Sequence, residues 1–334
     1  MNRIEKQRRQ DYLLKRKYWR GWKPTWNIVN IAVLIIAILE NRFVKTTEPV
    51  NNTAYQWFLW IYLIYLLIVY GFGAFKRSHI HLHYYAGHFA PLNTVLGIVL
   101  IFQDLVTEKL QLLHLPFFVS FAQILDQMRA DVQILWESTL SSFGLWLISF
   151  VVGTLLGVFL GIMMGHYKRF NYWAFPFLKV IGIIPPVALM PIVLVVFPTN
   201  YLAEIFLIVF AVWFPVAFMT INGVQGISSH YFESAKTLGF SEGQIIRKVI
   251  IPGSMPSIFN GMYTSMGLSF TMLVISEMMG AKIGLGWYIN YAKSVGNYPQ
   301  VYAAIVIMAI LFSVIFALVN KLHDRVLSWN DSNE

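Results

Sequence analysis

Four histidines and one carboxylate are the residues of this chain whose type and spacing could do chemistry. His79, His81, His83 and His88 follow an apolar segment. His79 and His83 would share a helix face, a spacing that can hold zinc or, in membrane oxidases, a di-iron pair. No second His-rich box and no helical carboxylate–His pair completes a ligand set. A polar interfacial loop beside Lys76 and Arg77 is therefore favoured, and no metal is expected. Glu277, in Ile275-Ser276-Glu277-Met278, lies within another apolar segment, where a carboxylate is a functional candidate by default. Counted from residue 257, about 30 Å of helix brings it to a membrane boundary, where a wetted structural carboxylate at the mouth is an equal reading. The chain has no Gly-Lys-Ser/Thr phosphate loop and no His-Glu-x-x-His. No enzyme is expected, and nucleotide-driven work must occur on another chain. With no cysteine, disulfides, thiol catalysis and thiolate metal sites are excluded.

The elements that must position these groups are membrane helices. Of the 334 residues, 57% are hydrophobic and only 12% charged, against about 25% charged in a soluble domain. The fold class expected is all-α, a polytopic membrane protein with eight spans near 25–44, 54–75, 89–107, 139–165, 172–198, 200–222, 257–281 and 300–320. Asn27 and Asn30 thin out the first span, and Asn93, Gln103 and Asp104 interrupt the third. The net charge is +9, and nine of the 25 Lys and Arg residues fall between Arg3 and Lys23. Beside a first apolar span, that cluster reads as a cytoplasmic flank on anionic lipid rather than a nucleic-acid site. The basic region is too long for a cleavable signal peptide. With both termini inside, eighteen Lys and Arg lie on the cytoplasmic side and six outside: Arg42, Lys45, Lys109, Arg129, Lys282 and Lys293. The positive-inside rule supports that topology.

Between spans three and four, Ser120 and Gln123 form a capping-box pattern, and Ile124, Leu125 and Met128 share a face. An amphipathic helix at the outer surface is expected, or a plain helical connector. Gly153, Gly157, Gly161 and Gly165 recur every four residues and predict tight packing of the fourth span on another helix. Pro185, Pro186 and Pro191 in the fifth span, with Pro215 in the sixth, remove backbone donors and bend their helices. A bent fifth span lining a pathway is the reading preferred over a kink that merely packs.

The segment from Glu233 to Pro256 is an unusually polar loop between two spans. Ser228 or Ser229 can cap a first helix, on which Tyr231, Phe232, Ala235 and Leu238 form an apolar stripe. Gly239 can end it in the left-handed conformation. Ser241 with Gln244 starts a second helix carrying Ile245, Ile246, Val249 and Ile250, and Pro252 and Pro256 then break the path to the seventh span. The expectation is a cytoplasmic helix-turn-helix with an apolar knob suited to a groove on a soluble partner. Gly284-Leu-Gly286 is read as the turn where the seventh span stops.

The run Glu233-Ser234-Ala235 to Leu238-Gly239, then Ile251-Pro252, Pro256 and Gly261, resembles the coupling-loop signature of ABC importer permeases. Ile184-Pro-Pro-Val-Ala-Leu-Met-Pro191 and Ser276-Glu-Met-Met-Gly-Ala to Gly284-Leu-Gly-Trp-Tyr-Ile289 look like the nitrate/sulfonate/taurine-type subfamily. The resemblance covers roughly 89–322, with Ser234 standing where alanine is commoner. It implies a permease domain over 89–322 with coupling loop 223–256, after an N-terminal extension 1–88 and before a tail 323–334. It also implies pairing with a second permease copy, two cytosolic ATPases that bind the ATP, and an extracellular solute-binding protein. Glu233, Ser234, Ala235, Leu238, Gly239 and Pro252 would carry the coupling. The solute implied is small and polar, a sulfonate, nitrate or taurine, or a vitamin precursor. A secondary transporter or channel remains the alternative, and a metalloenzyme on the His79–His88 cluster a further one.

Overall fold

The computed structural model describes residues 25–44, 52–75, 80–110, 112–113 and 116–327, with the backbone alone at 25, 71–75 and 80–89. The basic Arg3–Lys23 cluster lies outside the described residues. Among the described residues every regular element is helical. Among the described residues seven helices are long and apolar enough to cross a membrane, or eight if one bent pair counts as a span. The chain divides into two compact units, Met1–Ala130 and Asp131–Glu334. The third expected span thus groups with the first two.

The first unit contains α1 (Thr25–Phe43), α2 (Thr53–Phe75), α3 (Ile80–Asp104, prolonged by a π turn over Leu105–Lys109) and α4 (Phe121–Ala130). Leu34, Ala37, Tyr55, Leu59, Leu66, Ala90 and Ala122 form its core. The Asn30 Nδ2 donates to the Tyr70 hydroxyl at 2.9 Å, satisfying a buried donor in α1, while its Oδ1 is left without a hydrogen-bond partner. Gln103 likewise donates to the Val119 carbonyl at 2.9 Å. Past Asp104 the chain does not stop but winds on to Lys109, whose ammonium donates to the Val44 carbonyl at 2.8 Å. The Ser120–Gln123 box forms in both directions, each bond 3.2 Å. The helix it starts is not a free amphipath. Phe121 meets Tyr55 and Phe58 at centroid distances of 5.9 and 5.4 Å, and Ala122 and Ile124 are buried.

The second unit contains α5 (Val132–His166), α6 (Lys168–Ile183), α7 (Pro186–Val196), α8 (Asn200–Gln225), α9 (Ser229–Thr237), α10 (Glu242–Ile245, followed by a π turn over Ile246–Ile250), α11 (Ile251–Gly280), α12 (Leu285–Ser294) and α13 (Tyr298–Val326). Helix α8 is the centre, packed between α5 and α11. A Cβ built on Gly153, Gly157, Gly161 or Gly165 would lie 2.7, 2.8, 2.5 or 2.6 Å from the Cβ of Val212, Val216, Thr220 or Val224 respectively. Both sets ascend by four, so α5 and α8 run parallel, with a bare glycine row against a β-branched row. On the other side of α8, Gly223 abuts Ser257 and Gly261 abuts Val216. There the numbering runs in opposite senses, so α11 is antiparallel to α8.

Candidate functional site

The polar loop is seated on the ends of α5 and α8. Ile162, Val224, Ala235, Ile245 and Ile250 are buried together, with Phe232, Phe240, Ile246 and Val249 packed against them. Ser228 occupies the N-cap of α9 but its hydroxyl makes no capping bond. At the other end Gly239 has φ +75°, the left-handed value that suits glycine. The Gly239 N–H donates to Lys236 O at 2.9 Å and the Phe240 N–H to Ala235 O at 3.0 Å, a Schellman closure. Two residues later the Ser241–Gln244 capping box is formed in both directions. Gly239-Phe-Ser241-Glu-Gly243 also has the spacing of a nucleophile elbow. That motif requires a strand before its serine, whereas Ser241 follows a helix and is used as a cap. His166 at the end of α5 lies 3.0 Å from the Glu242 carboxylate, a further tie absent from the sequence reading.

The expected apolar stripe on α9 is split. Ala235 is buried and Phe232 packs inward, but Tyr231 is 66% and Leu238 73% exposed. Glu233, Ser234 and Gly239 are exposed beside them. Pro252 is exposed too, yet neither it nor Pro256 breaks the chain. Pro252 sits in the first turn of α11, where a missing N–H costs nothing, and one residue earlier the Ile251 N–H reaches back to Ile246 O. The loop therefore enters α11 as one continuous helix, including Pro256.

Glu277 is not wetted. It is 1% exposed, accepting from Ser142 Oγ at 2.6 Å and from the Gly286 N–H at 2.8 Å. Gly284-Leu-Gly286 is more than a stop signal. A Cβ on Gly284 would lie 2.6 Å from the Glu277 carboxyl carbon, and Gly284, at φ +144°, is the N-cap of α12. Ser142 also accepts the Leu285 N–H at 2.8 Å, so one carboxylate and one hydroxyl join α5, α11 and the start of α12. Sequence reasoning missed Ser142 and the whole role of Glu204. Glu204, early in α8 and 3% exposed, has its Oε1 over Gly280, where a Cβ would stand 3.0 Å away. A carboxylate within the sixth apolar segment was the signal that could have found it. It lines a cavity of about 470 Å³ with Ser141, Asn200, Tyr201, Gly280 and Lys282.

The Ile184-Pro185-Pro186 step bends the fifth span by 97° between α6 and α7. Pro191 does not bend it further but continues inside α7, and Pro215 is likewise internal to α8. Pro185 and Pro191 are exposed and Pro186 half-buried. His79 and the side chains of His81, His83 and His88 lie outside the described residues. Among the described residues no group of three His, Cys, Asp or Glu could hold a metal.

Residues 153–328 match the family described as binding-protein-dependent transport system inner membrane component. The chain belongs to this family. The match spans α5 from its glycine row to the end of α13, with the loop at its centre. The chain is also similar to the putative aliphatic sulfonates transport permease protein SsuC of Bacillus subtilis, 33% identical over 187 residues, covering 56% of this chain and 68% of that protein. It is 30% identical over 261 residues to the bicarbonate transport system permease protein CmpB of Synechococcus elongatus, covering 73% and 88%. It is 27% identical over 196 residues to the taurine transport system permease protein TauC of Escherichia coli, covering 59% and 71%. These relatives are transport permeases, not enzymes. A multi-pass inner-membrane transport component is what the family match and the seven or eight apolar helices among the described residues amount to.

Proposed function

We propose that this chain is the permease subunit of an ATP-driven importer, paired with a second copy of itself and driven by two cytosolic ATPases at the 229–250 loop. The observation that carries the reading is the division of labour on α9. Ala235 anchors the loop to α5 and α8, while Tyr231, Leu238 and the Gly239 corner stand free to enter a partner's groove. Because the loop runs without a break into α11, a push on the corner is delivered to a 30-residue helix as a lever. Glu233, Ser234, Ala235, Leu238, Gly239 and Pro252 are the coupling residues in this reading. The chain itself binds no cofactor, and ATP stays on its partners.

A row of small polar residues supports the pairing. Asn260, Thr264, Gly267 and Thr271 are exposed along one face at the middle of α11. The Thr264 and Thr271 hydroxyls bond back to Asn260 O and Gly267 O, so only the Asn260 amide is costly against lipid, while the small residues beside it allow close helix approach; this face suits a second copy or a wet pathway. Pro185, Pro186 and Pro191 at the bend of the fifth span are further pathway candidates. Glu277 is better suited to hold the outer ends of α5, α11 and α12 together, and both termini belong in the cytoplasm.

The solute is small and polar, of the kind named for the sulfonate, bicarbonate and taurine permeases, and an extracellular binding protein delivers it. The test is uptake by proteoliposomes containing the full chain, its genomic-neighbour ATPase and binding protein. Uptake should require internal or external ATP on the ATPase side alone. Uptake driven by an ion gradient without ATP would overturn the reading in favour of a secondary transporter.

A further inference from the structure

We propose that the exposed face of α6 is a seat for an anionic phospholipid, with the lipid phosphate at Lys168 and Arg169 and the acyl chains along the turns that follow. The other face of α6 is covered. Leu178 is buried with Met164, Ala217 and Ile221, and Phe175 packs against that cluster. Farther along, the Phe214 ring leaves no room for a Cβ on Gly182. Numbers rise along α6 as they fall along α8, so α6 climbs away from the 229–250 loop. Its start is fixed at the loop end, because His166, two residues before Lys168, lies 3.0 Å from the Glu242 carboxylate.

The free face carries its residues in the order of a phospholipid's own layers. Arg169, Tyr172, Pro176, Val180 and Ile183 succeed one another by three or four, which is one helix face, and all are exposed. The first turn offers Lys168 and Arg169, neither of them ion-paired among the described residues. The acids at this end are engaged with histidines, Glu242 with His166 and Glu233 with His230 at 3.9 Å. In the second turn Tyr172 and Trp173 are 74% and 72% exposed, and their rings meet edge-on at 5.3 Å. An aromatic ring with a polar tip suits the level between water and hydrocarbon. Beyond them the exposed residues are apolar, with Lys179 the exception. Its ammonium is turned back over the Phe175 ring, 4.7 Å from the centroid, one turn nearer the basic end. A long cationic side chain reaches back in this way from an apolar zone toward the interface. At 1.5 Å per residue, about 6 Å separates the basic turn from the aromatic one, and about 20 Å of α6 remains beyond Arg169 for acyl chains. A zwitterionic lipid would match the later turns but bring its own cation to Lys168 and Arg169. An acidic soluble protein would answer the first turn and leave the rest facing water. An anionic lipid answers every turn.

Lipid at this face does not depend on the import reading, and the full chain alone in nanodiscs is enough to test it. Phe177→Cys, at an exposed position in a chain with no other cysteine, carries a fluorophore. Its quenching by brominated phosphatidylglycerol is compared with that by brominated phosphatidylcholine of the same acyl chains. Phosphatidylglycerol should occupy the site with a preference of about fivefold or more, a difference of about 1 kcal/mol. Added salt should weaken the preference. Lys168→Gln with Arg169→Gln should abolish it, whereas Lys321→Gln with Arg325→Gln, the same loss of charge at the end of α13, should leave it intact. Equal quenching by the two lipids, a preference indifferent to salt, or one that survives the change at 168 and 169 would overturn the proposal. So would a preference lost equally on the change at 321 and 325, which would report only the general charge of that end. Absence of quenching by either lipid would mean that protein covers the face, and would also overturn it. If the variant at 168 and 169 fails to fold, the wild-type ratio, its salt dependence and the change at 321 and 325 decide. Retention of a co-purified ATPase reports on the import reading separately, so either can fail without the other.

Discussion

Ser142 donates to Glu277 at 2.6 Å while accepting the Leu285 N–H at 2.8 Å, so a single hydroxyl bridges two elements that are more than 130 residues from it in sequence. Removing it strands a buried carboxylate oxygen and a buried amide at once. Ser142→Ala should lower stability by about 1–3 kcal/mol. Thermal unfolding in detergent checks this, and a melting temperature equal to wild type would mean that water replaces the hydroxyl freely.

The glycine row on α5 makes a graded prediction. A side chain at Gly161 would run into Thr220, whose Cβ lies only 2.5 Å from the new Cβ position. Gly144, on the same helix, has nothing within 4 Å. Gly161→Val should cost about 1–3 kcal/mol or more through overpacking, whereas Gly144→Ala should be neutral or slightly stabilising through helix propensity. Equal effects at the two sites would show that α5 and α8 do not meet along this row.

Tyr288, in α12, is buried and donates to Asp131, which also accepts from Gln300 at 2.7 Å. Burial first, and then the Asp131 carboxylate, push the phenol well above its ordinary value of 10.0. The folded state therefore keeps Tyr288 neutral while the unfolded chain ionises it. That contribution is complete below pH 10, begins to be lost above it, and is gone only once the folded phenol itself ionises. Tyr288→Phe should lower stability at neutral pH and flatten its decline above pH 10. An unchanged alkaline slope would contradict the assignment.

The absence of cysteine from the chain makes the α11 face easy to probe. Thr264→Cys should either form an intermolecular disulfide on mild oxidation or react with aqueous maleimide, according to whether a partner or water covers it. A residue that does neither in the assembled transporter would be facing lipid, and the pairing argument would lose its support.

Much of the architecture was legible because it depends on local pattern. Long apolar runs gave the spans, the four-residue glycine period gave a packing face, and Gly239 and Ser241 gave the corner of the loop. What could not be read depended on partners distant in sequence. Glu277 looked like a group at a wet mouth because its shielding by Ser142 and Gly286 is tertiary. Tyr231 and Leu238 shared a helical stripe with Ala235, but only the ends of α5 and α8 decide which of them is covered. Pro252 and Pro256 read as breakers, yet a π turn before them lets the helix pass. Glu204 carried a readable signal, a carboxylate in an apolar run, whose meaning came only with the cavity.

The central claim is that a soluble ATPase grips the corner around Gly239. Co-purification of the full chain with its ATPase tests it most directly, comparing wild type with Leu238→Glu and Gly239→Val. Leu238 is exposed, so its replacement should leave the melting temperature nearly unchanged. The Gly239 variant forces a β-branched residue to φ +75° and should cost about 1–3 kcal/mol locally. The account predicts that both variants remain in the membrane and lose the ATPase by tenfold or more. ATPase retained at wild-type levels by both would contradict it.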